Sequence, residues 1–262
     1  MPNWCSNMLK VEGKAEHVRK FILDNFKYSL NPYSKNRRAY YVLDFEVLLP
    51  TPVDNMIDGW YEWRIAHWGC KWSPCFEQYI SLIIDYKNGE TKEFDDCKQS
   101  FIGESVLDIE KDYDNIESIT LNCSFQTPWG PPDRIYDKWK ELYQPLGLEV
   151  QLEFYEPGCC IMGELSFSGE DEFEEFVDPD NSPYWIKKAI EYGWEDIEFY
   201  IDECVYWLEI MHKDEPEVLE KLVPIIKKKL EEASMDDAIK LIIEIREKYT
   251  KFVEENCERS KK

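Results

Sequence analysis

The sequence predicts an α+β fold, a split β-α-β sandwich followed by an all-helical extension, and three observations predict it. Apolar residues alternate over short stretches bounded by Gly, Pro and Asn, the pattern of half-buried strands. The order strand, helical period, strand occurs twice. After Phe167 the alternation stops and helical periods alone continue.

The elements follow in chain order. Ser6 to Glu12 alternates, with Leu9 and Val11 on one face, and ends at Gly13. Glu16 to Phe26 places Val18, Phe21, Ile22 and Phe26 at helical spacing. Residues 27–40 read as an exposed loop with a basic cluster at Lys35, Arg37 and Arg38. Tyr41 to Leu49 reads as a strand stopped by Pro50-Thr51-Pro52. Asp58 to Ala66 is a short Trp-rich helix or turn, and Glu77 to Tyr86 a strand with a hairpin turn at Lys87-Asn88-Gly89. Residues 91–114 read as a return strand plus an irregular insertion. Ile116 to Gln126 is a strand, Pro131-Pro132-Asp133 opens a helix to about Tyr143, and Leu148–Tyr155 and Cys160–Phe167 are the last strands. This doubled β-α-β order is that of a ferredoxin-like sheet, with both helices on one face.

Residues 1–168 are thus expected to form the ferredoxin-like domain, 169–182 an acidic linker and 183–262 a helical C-terminal region. In that last part Ile201, Cys204, Leu208 and Met211 share one stripe, and Val218, Leu222, Ile225 and Ile226 another. Pro224 is expected to kink the second helix. Ser234-Met235-Asp236-Asp237 resembles a capping box that launches Ala238, Ile242, Ile245, Tyr249 and Phe252.

Composition bounds the function. The chain is 44% hydrophobic and 15% aromatic, enough for a packed core. No run of about 18 apolar residues occurs, so no membrane span is expected. The first residues carry no basic stretch followed by an apolar one, so no signal peptide is expected there, and the protein reads as cytoplasmic. Nine cysteines without a C-x-x-C pair read as reduced thiols acting as small hydrophobes. With three histidines, the local spacings of a zinc site cannot be assembled, and no metal or other cofactor is expected.

The net charge is −23, and it is unevenly placed. Residues 1–40 hold eight basic and three acidic residues, whereas residues 151–215 hold nineteen acidic and three basic ones. Such a charge repels nucleic acid and anionic membranes and favours basic partners.

Several segments resemble a known family. They are Met1-Pro2-Asn3-Trp4-Cys5-Ser6-Asn7, residues 63–72 (WRIAHWGCKW), residues 125–132 (FQTPWGPP) and Tyr155-Glu156-Pro157-Gly158. Their order and Trp content are similar to the YubB-type ferredoxin-like domain of phage, prophage and plasmid proteins. The resemblance spans about residues 1–168. It implies a ferredoxin-like fold and a mobile-element origin, and no established activity. Cys70 stands where that family more often has a small polar residue, usually Thr, which counts against a family-wide nucleophile.

Two sets of residues are candidates for contact with a ligand or partner. Trp60, Trp63, Trp68 and Trp72, with Arg64, His67 and Lys71, put π faces beside cations, a mixture able to stack a base and hold a phosphate. The plainer reading is that these tryptophans plug one end of the sheet. Glu170, Asp171, Glu172, Glu174 and Glu175 are the candidate partner surface. Glu156, Glu164, Glu170, Asp171 and Glu172 could bind a cation, although a solvated acidic face is the plainer reading. A Cys70–His67 pair lacks any sign of the lowered thiol pKa and oxyanion donor that catalysis needs. No catalytic motif is found.

The expectation is therefore a non-enzymatic, acidic interaction protein that binds a basic surface of a host factor, such as a defence nuclease it inhibits. The alternative is a nucleotide- or nucleic-acid-binding module built on the Trp-rich segment. The sheet shares its architecture with RNA-recognition folds, but the negative charge makes nucleic acid an unfavourable partner.

Overall fold

A computed structural model describes residues 3–30, 39–74, 78–95, 113–158, 161–177 and 182–259. It divides into two compact units, residues 1–176 and 177–262.

The first unit is built on an antiparallel sheet. Its strands are β1 (Trp4–Gly13), β4 (Tyr79–Tyr86), β5 (Thr91–Asp95), β6 (Ile116–Pro128), β7 (Glu149–Glu156), β8 (Ile161–Ser168) and β9 (Asp171–Val177). They lie in the order β5-β4-β6-β1-β7-β8-β9. A separate hairpin pairs β2 (Phe26–Leu30) with β3 (Ala39–Leu43). The registers carry the alternation across the sheet. Leu9 faces Cys123 on one side and Leu152 on the other, and Val11 faces Leu121 and Val150. All six are buried. The intervening residues Lys10 and Glu12 point to the opposite face, because successive side chains alternate.

Helices α1 (Ala15–Asn25) and α5 (Asp133–Tyr143) cover the buried face. Helical spacing aligns Val18, Phe21, Ile22 and Asn25 on α1, and Ile135, Tyr136, Trp139 and Tyr143 on α5. Phe21 packs 5.6 Å from Trp139 and 4.8 Å from Tyr143, ring centre to ring centre. Asn25 fastens the two helices in the dry layer. Its Nδ2 donates to the Phe21 carbonyl at 2.8 Å and to the Tyr143 hydroxyl at 2.9 Å, and its Oδ1 accepts from Trp139 Nε1 at 2.7 Å. A buried amide with both ends bonded avoids the cost of an unmet polar group.

Three expectations are corrected. Residues 41–49 are not one strand. β3 ends at Leu43, and a helical turn α2 (Phe45–Leu48) follows. Asp44 causes the change, since its carboxylate accepts from the Glu46 amide at 3.1 Å as an N-cap. Gln78 meanwhile brackets Leu43, accepting from its N–H at 2.8 Å and donating to its carbonyl at 2.9 Å. Phe45 turns into the core against Trp68 and Phe125. Part of the expected acidic linker is also structured, because residues 171–177 form β9 at the edge of the sheet. Gly163 makes room for it: a Cβ there would collide with the Glu175 carbonyl oxygen. Of residues 27–40, expected as an exposed loop, 27–30 belong to β2 and 39–40 to β3; Lys35, Arg37 and Arg38 lie outside the described residues, as does 96–112 of the expected insertion.

The described residues of the second unit hold α6 (Pro183–Glu191), α7 (Ile197–Met211), α8 (Pro216–Glu232) and α9 (Met235–Arg259). Ile201, Cys204, Leu208, Ile242 and Ile245 meet in its core. Asp196 caps α7 by accepting from the Phe199 amide at 2.8 Å, and Ser234 caps α9 by accepting from the Asp237 amide at 3.3 Å. Helix α8 runs through Pro224. Among the described residues no helix is long and apolar enough to cross a membrane.

Candidate functional site

The Trp-rich segment forms α4 (Trp60–Trp68), which ends at Gly69. Gly69 has φ +82°, and a Cβ on it would strike Asp133 at the start of α5. Only glycine allows both the left-handed turn and that approach.

The four tryptophans have unlike environments. Trp68 is fully buried, stands 5.9 Å from Phe45 and donates its Nε1–H to the Leu49 carbonyl at 3.0 Å. It is a core residue. Trp63 is half-buried, 6.0 Å from Trp68, and carries His67 stacked on its face at 4.2 Å. His67 Nδ1 lies 2.7 Å from the Trp63 carbonyl oxygen. Trp60 is half-buried beneath the Arg64 guanidinium, which lies 5.3 Å from it and 4.6 Å from Trp68. Arg64 is also paired with Glu46 at 2.7 Å and bonded to Thr51 Oγ1 at 3.1 Å. Glu46 in turn accepts from the Thr51 amide and hydroxyl. Arg64 is therefore held in a structural network. The adjoining turn α3 (Val53–Ile57) leaves Val53, Met56 and Ile57 exposed.

Lys71 and Trp72 separate from that group. The Lys71 ammonium lies 4.4 Å from the Trp72 ring centre, 5.2 Å from Trp129 and 5.7 Å from Tyr61. Trp4 stands 6.4 Å from Trp72. Tyr61 and Trp129 were not among the sequence candidates. The Trp129-Gly130-Pro131-Pro132 string was the signal for Trp129, since an aromatic followed by turn residues ends the strand there.

Cys70 is buried and its Sγ donates to the Trp72 carbonyl at 3.2 Å. The Cys5 thiol is buried on the core face, and burial first, then the charge of Glu156, pushes its pKa far up. Nearby, Asn7 Nδ2 donates to Cys5 O at 2.9 Å and to Thr127 Oγ1 at 2.8 Å, and the Thr127 hydroxyl donates to Gly130 O at 2.7 Å. This chain of bonds fixes the loop that bears Trp129.

The acidic candidates lie on the turn before β9 and on β9 itself. Glu170, Asp171, Glu172 and Glu174 are exposed, and Glu175 is half-buried. Phe173 and Phe176 on the same strand are also exposed, and Phe176 packs 5.0 Å from Phe154. Lys140 bonds Glu172 at 2.5 Å, and that hydrogen bond holds the Glu172 carboxyl below its ordinary range. Beside β9 a groove of about 290 Å³ is lined by Glu12, Glu149, Glu164, Asp171 and Glu172, with Lys10 as its one cation. Lys10 is itself paired with Glu12 at 2.8 Å. Glu156 is separate from this groove; it is buried, and its Oε1 accepts from the Gly158 amide at 3.1 Å. Among the described residues no three His, Cys, Asp or Glu side chains converge as metal ligands would.

No protein-family model matches the chain, and neither a curated protein nor a solved structure is similar to it.

Proposed function

We propose that this protein is an acidic interaction protein that binds a basic surface of another protein, a host factor in the mobile-element setting that its sequence resemblance implies. The observation that carries the reading is the groove beside β9: of its five carboxylates, Glu12 is paired with Lys10 and Glu172 with Lys140, while Glu149, Glu164 and Asp171 have no ion-pair partner among the described residues. Plain solubility needs a net charge of only about 2–8 in a small domain, and this chain carries −23. The excess costs stability through self-repulsion, which is offset when a cationic partner neutralises it. Exposed Phe173 and Phe176 supply apolar contact within the charged field, as the centre of an interface requires.

A ferredoxin-like platform, with the helical region as an appendage, is part of the reading. The strand order β4-β6-β1-β7 supports it, with α1 after β1 and α5 between β6 and β7. That is the order in which two split β-α-β units interleave.

The test is capture from a bacterial lysate with the protein immobilised, at low salt and at about 1 M salt, where the screening length falls to about 3 Å. Basic proteins should bind at low salt, leave at high salt, and be displaced by added nucleic acid competing for the same basic surface. The triple variant Glu172→Lys, Glu174→Lys, Glu175→Lys should lose them while remaining folded. Equal recovery at both salt levels, or by the triple variant, refutes the reading.

A further inference from the structure

We propose that Tyr61, Lys71, Trp72 and Trp129 form a second site, which binds a small aromatic anion of the nucleotide type, a flat heterocycle carrying a phosphate. Three observations carry this.

The first is the state of Lys71. Its ammonium faces the rings of Trp72, Trp129 and Tyr61, and among the described residues no carboxylate or hydrogen-bond acceptor is paired with it. Arg64 makes the contrast: it also lies over two indoles, yet Glu46 neutralises it. Rings alone leave the three N–H donors of an ammonium without acceptors. Lys71 is half-exposed, so an incoming anion can reach it. The cage already holds a cation, which excludes a second cation as the ligand.

The second is the backbone at Trp129. Its φ is +71°, the only positive value at a described non-glycine residue. Bulky L side chains adopt that region at a cost, and such strain persists where surrounding structure enforces it. Here the enforcement is visible. The Trp129 amide donates to the Asn3 carbonyl at 2.9 Å, and the Asn7–Thr127–Gly130 chain of bonds anchors the residues on either side.

The third is what the strained loop presents. Trp129 is 45% exposed, although an indole in water is unfavourable. A rigid indole held open beside an unneutralised ammonium is a stacking platform with a charge at its rim. Any heterocyclic base has a face to stack, and a phosphate is the natural counter-ion of the ammonium. A single-stranded nucleic acid offers the same chemistry. The net charge of −23 disfavours a long polyanion, so the geometry and charge together point to a free nucleotide.

The experiment is calorimetric titration of the full chain with adenosine monophosphate, adenosine, inorganic phosphate and a single-stranded deoxyadenosine oligomer of about ten nucleotides. The mononucleotide should saturate at about millimolar concentration or below, with adenosine and phosphate each binding at least about tenfold more weakly. Lys71→Met should weaken the mononucleotide by at least about tenfold and leave adenosine unchanged. Trp129→Gly should weaken it about five- to a hundredfold. Glycine accepts the φ of this position, so that variant should keep the parent's melting temperature and separate loss of binding from loss of fold. Tighter binding of the oligomer than of the mononucleotide would overturn the free nucleotide as the ligand. The proposal is overturned if the mononucleotide shows no saturable binding, or if it binds equally well to both variants.

Discussion

Residues 60–72 and 170–176 are the two compositional extremes of the first unit, one crowded with indoles and the other with carboxylates, and the fold disposes of them in opposite ways. The first comprises a helix whose inner side meets the core and the turn that follows it, so its side chains are graded from fully buried Trp68 on the helix to half-exposed Trp72 beyond it. The second lies on the last strand of the sheet, where Glu172, Phe173, Glu174 and Phe176 are all exposed. An aromatic side chain becomes structural only where a neighbouring surface can cover it. Phe173, in the acidic strand, has no more cover than the acids around it.

The contrast breaks most easily at Trp68. Trp68→Ala should cost about 3–5 kcal/mol in a urea titration, because it opens a large cavity and strands the Leu49 carbonyl. A loss under about 1 kcal/mol would mean the segment does not reach the core. Next comes Asn25→Ala, which leaves Trp139 Nε1 and the Tyr143 hydroxyl without that partner in the dry layer. It should cost about 1–3 kcal/mol by the same measurement.

A pH titration sharpens the same inside–outside distinction. Burial pushes the Cys204 thiol up to about 12, whereas an unfolded thiol ionises near 8.5. The folded state thus keeps a proton that the unfolded chain releases. The resulting stability is full below the unfolded value and is lost as pH rises toward the folded one. Cys204→Ala should flatten the alkaline limb of a stability–pH curve, and an unchanged slope would contradict the burial. The smallest effect is expected at the acidic strand: Glu174→Lys should shift stability by no more than about 0.5 kcal/mol, as exposed positions do.

Much of the first unit was legible because its signals are periodic. Leu9 and Val11 on β1, and Phe21 and Ile22 on α1, repeat at the spacing of the elements they occupy. The break at Asp44 was not legible, since Tyr41 to Leu49 is apolar enough for a strand. The turn depends on a cap and on Gln78, distant in sequence. β9 was missed for the opposite reason: with exposed residues on both faces, it shows no alternation. The tryptophans were visible as a set, but nothing in their spacing separates Trp68 from Trp72. Their division depends on Trp129 and Tyr61, which converge on Lys71 only after folding.

The acidic edge of the sheet is proposed to recognise a basic protein surface by long-range charge. Stopped-flow association with a captured basic partner, followed across ionic strength, tests it most directly. Complementary potentials steer encounter, and salt removes that steering. The association rate should fall steeply with salt for the parent protein. For the Glu172→Lys, Glu174→Lys, Glu175→Lys variant it should be slow at low salt and nearly flat. A rate that ignores salt, or that is the same in both proteins, would contradict the account.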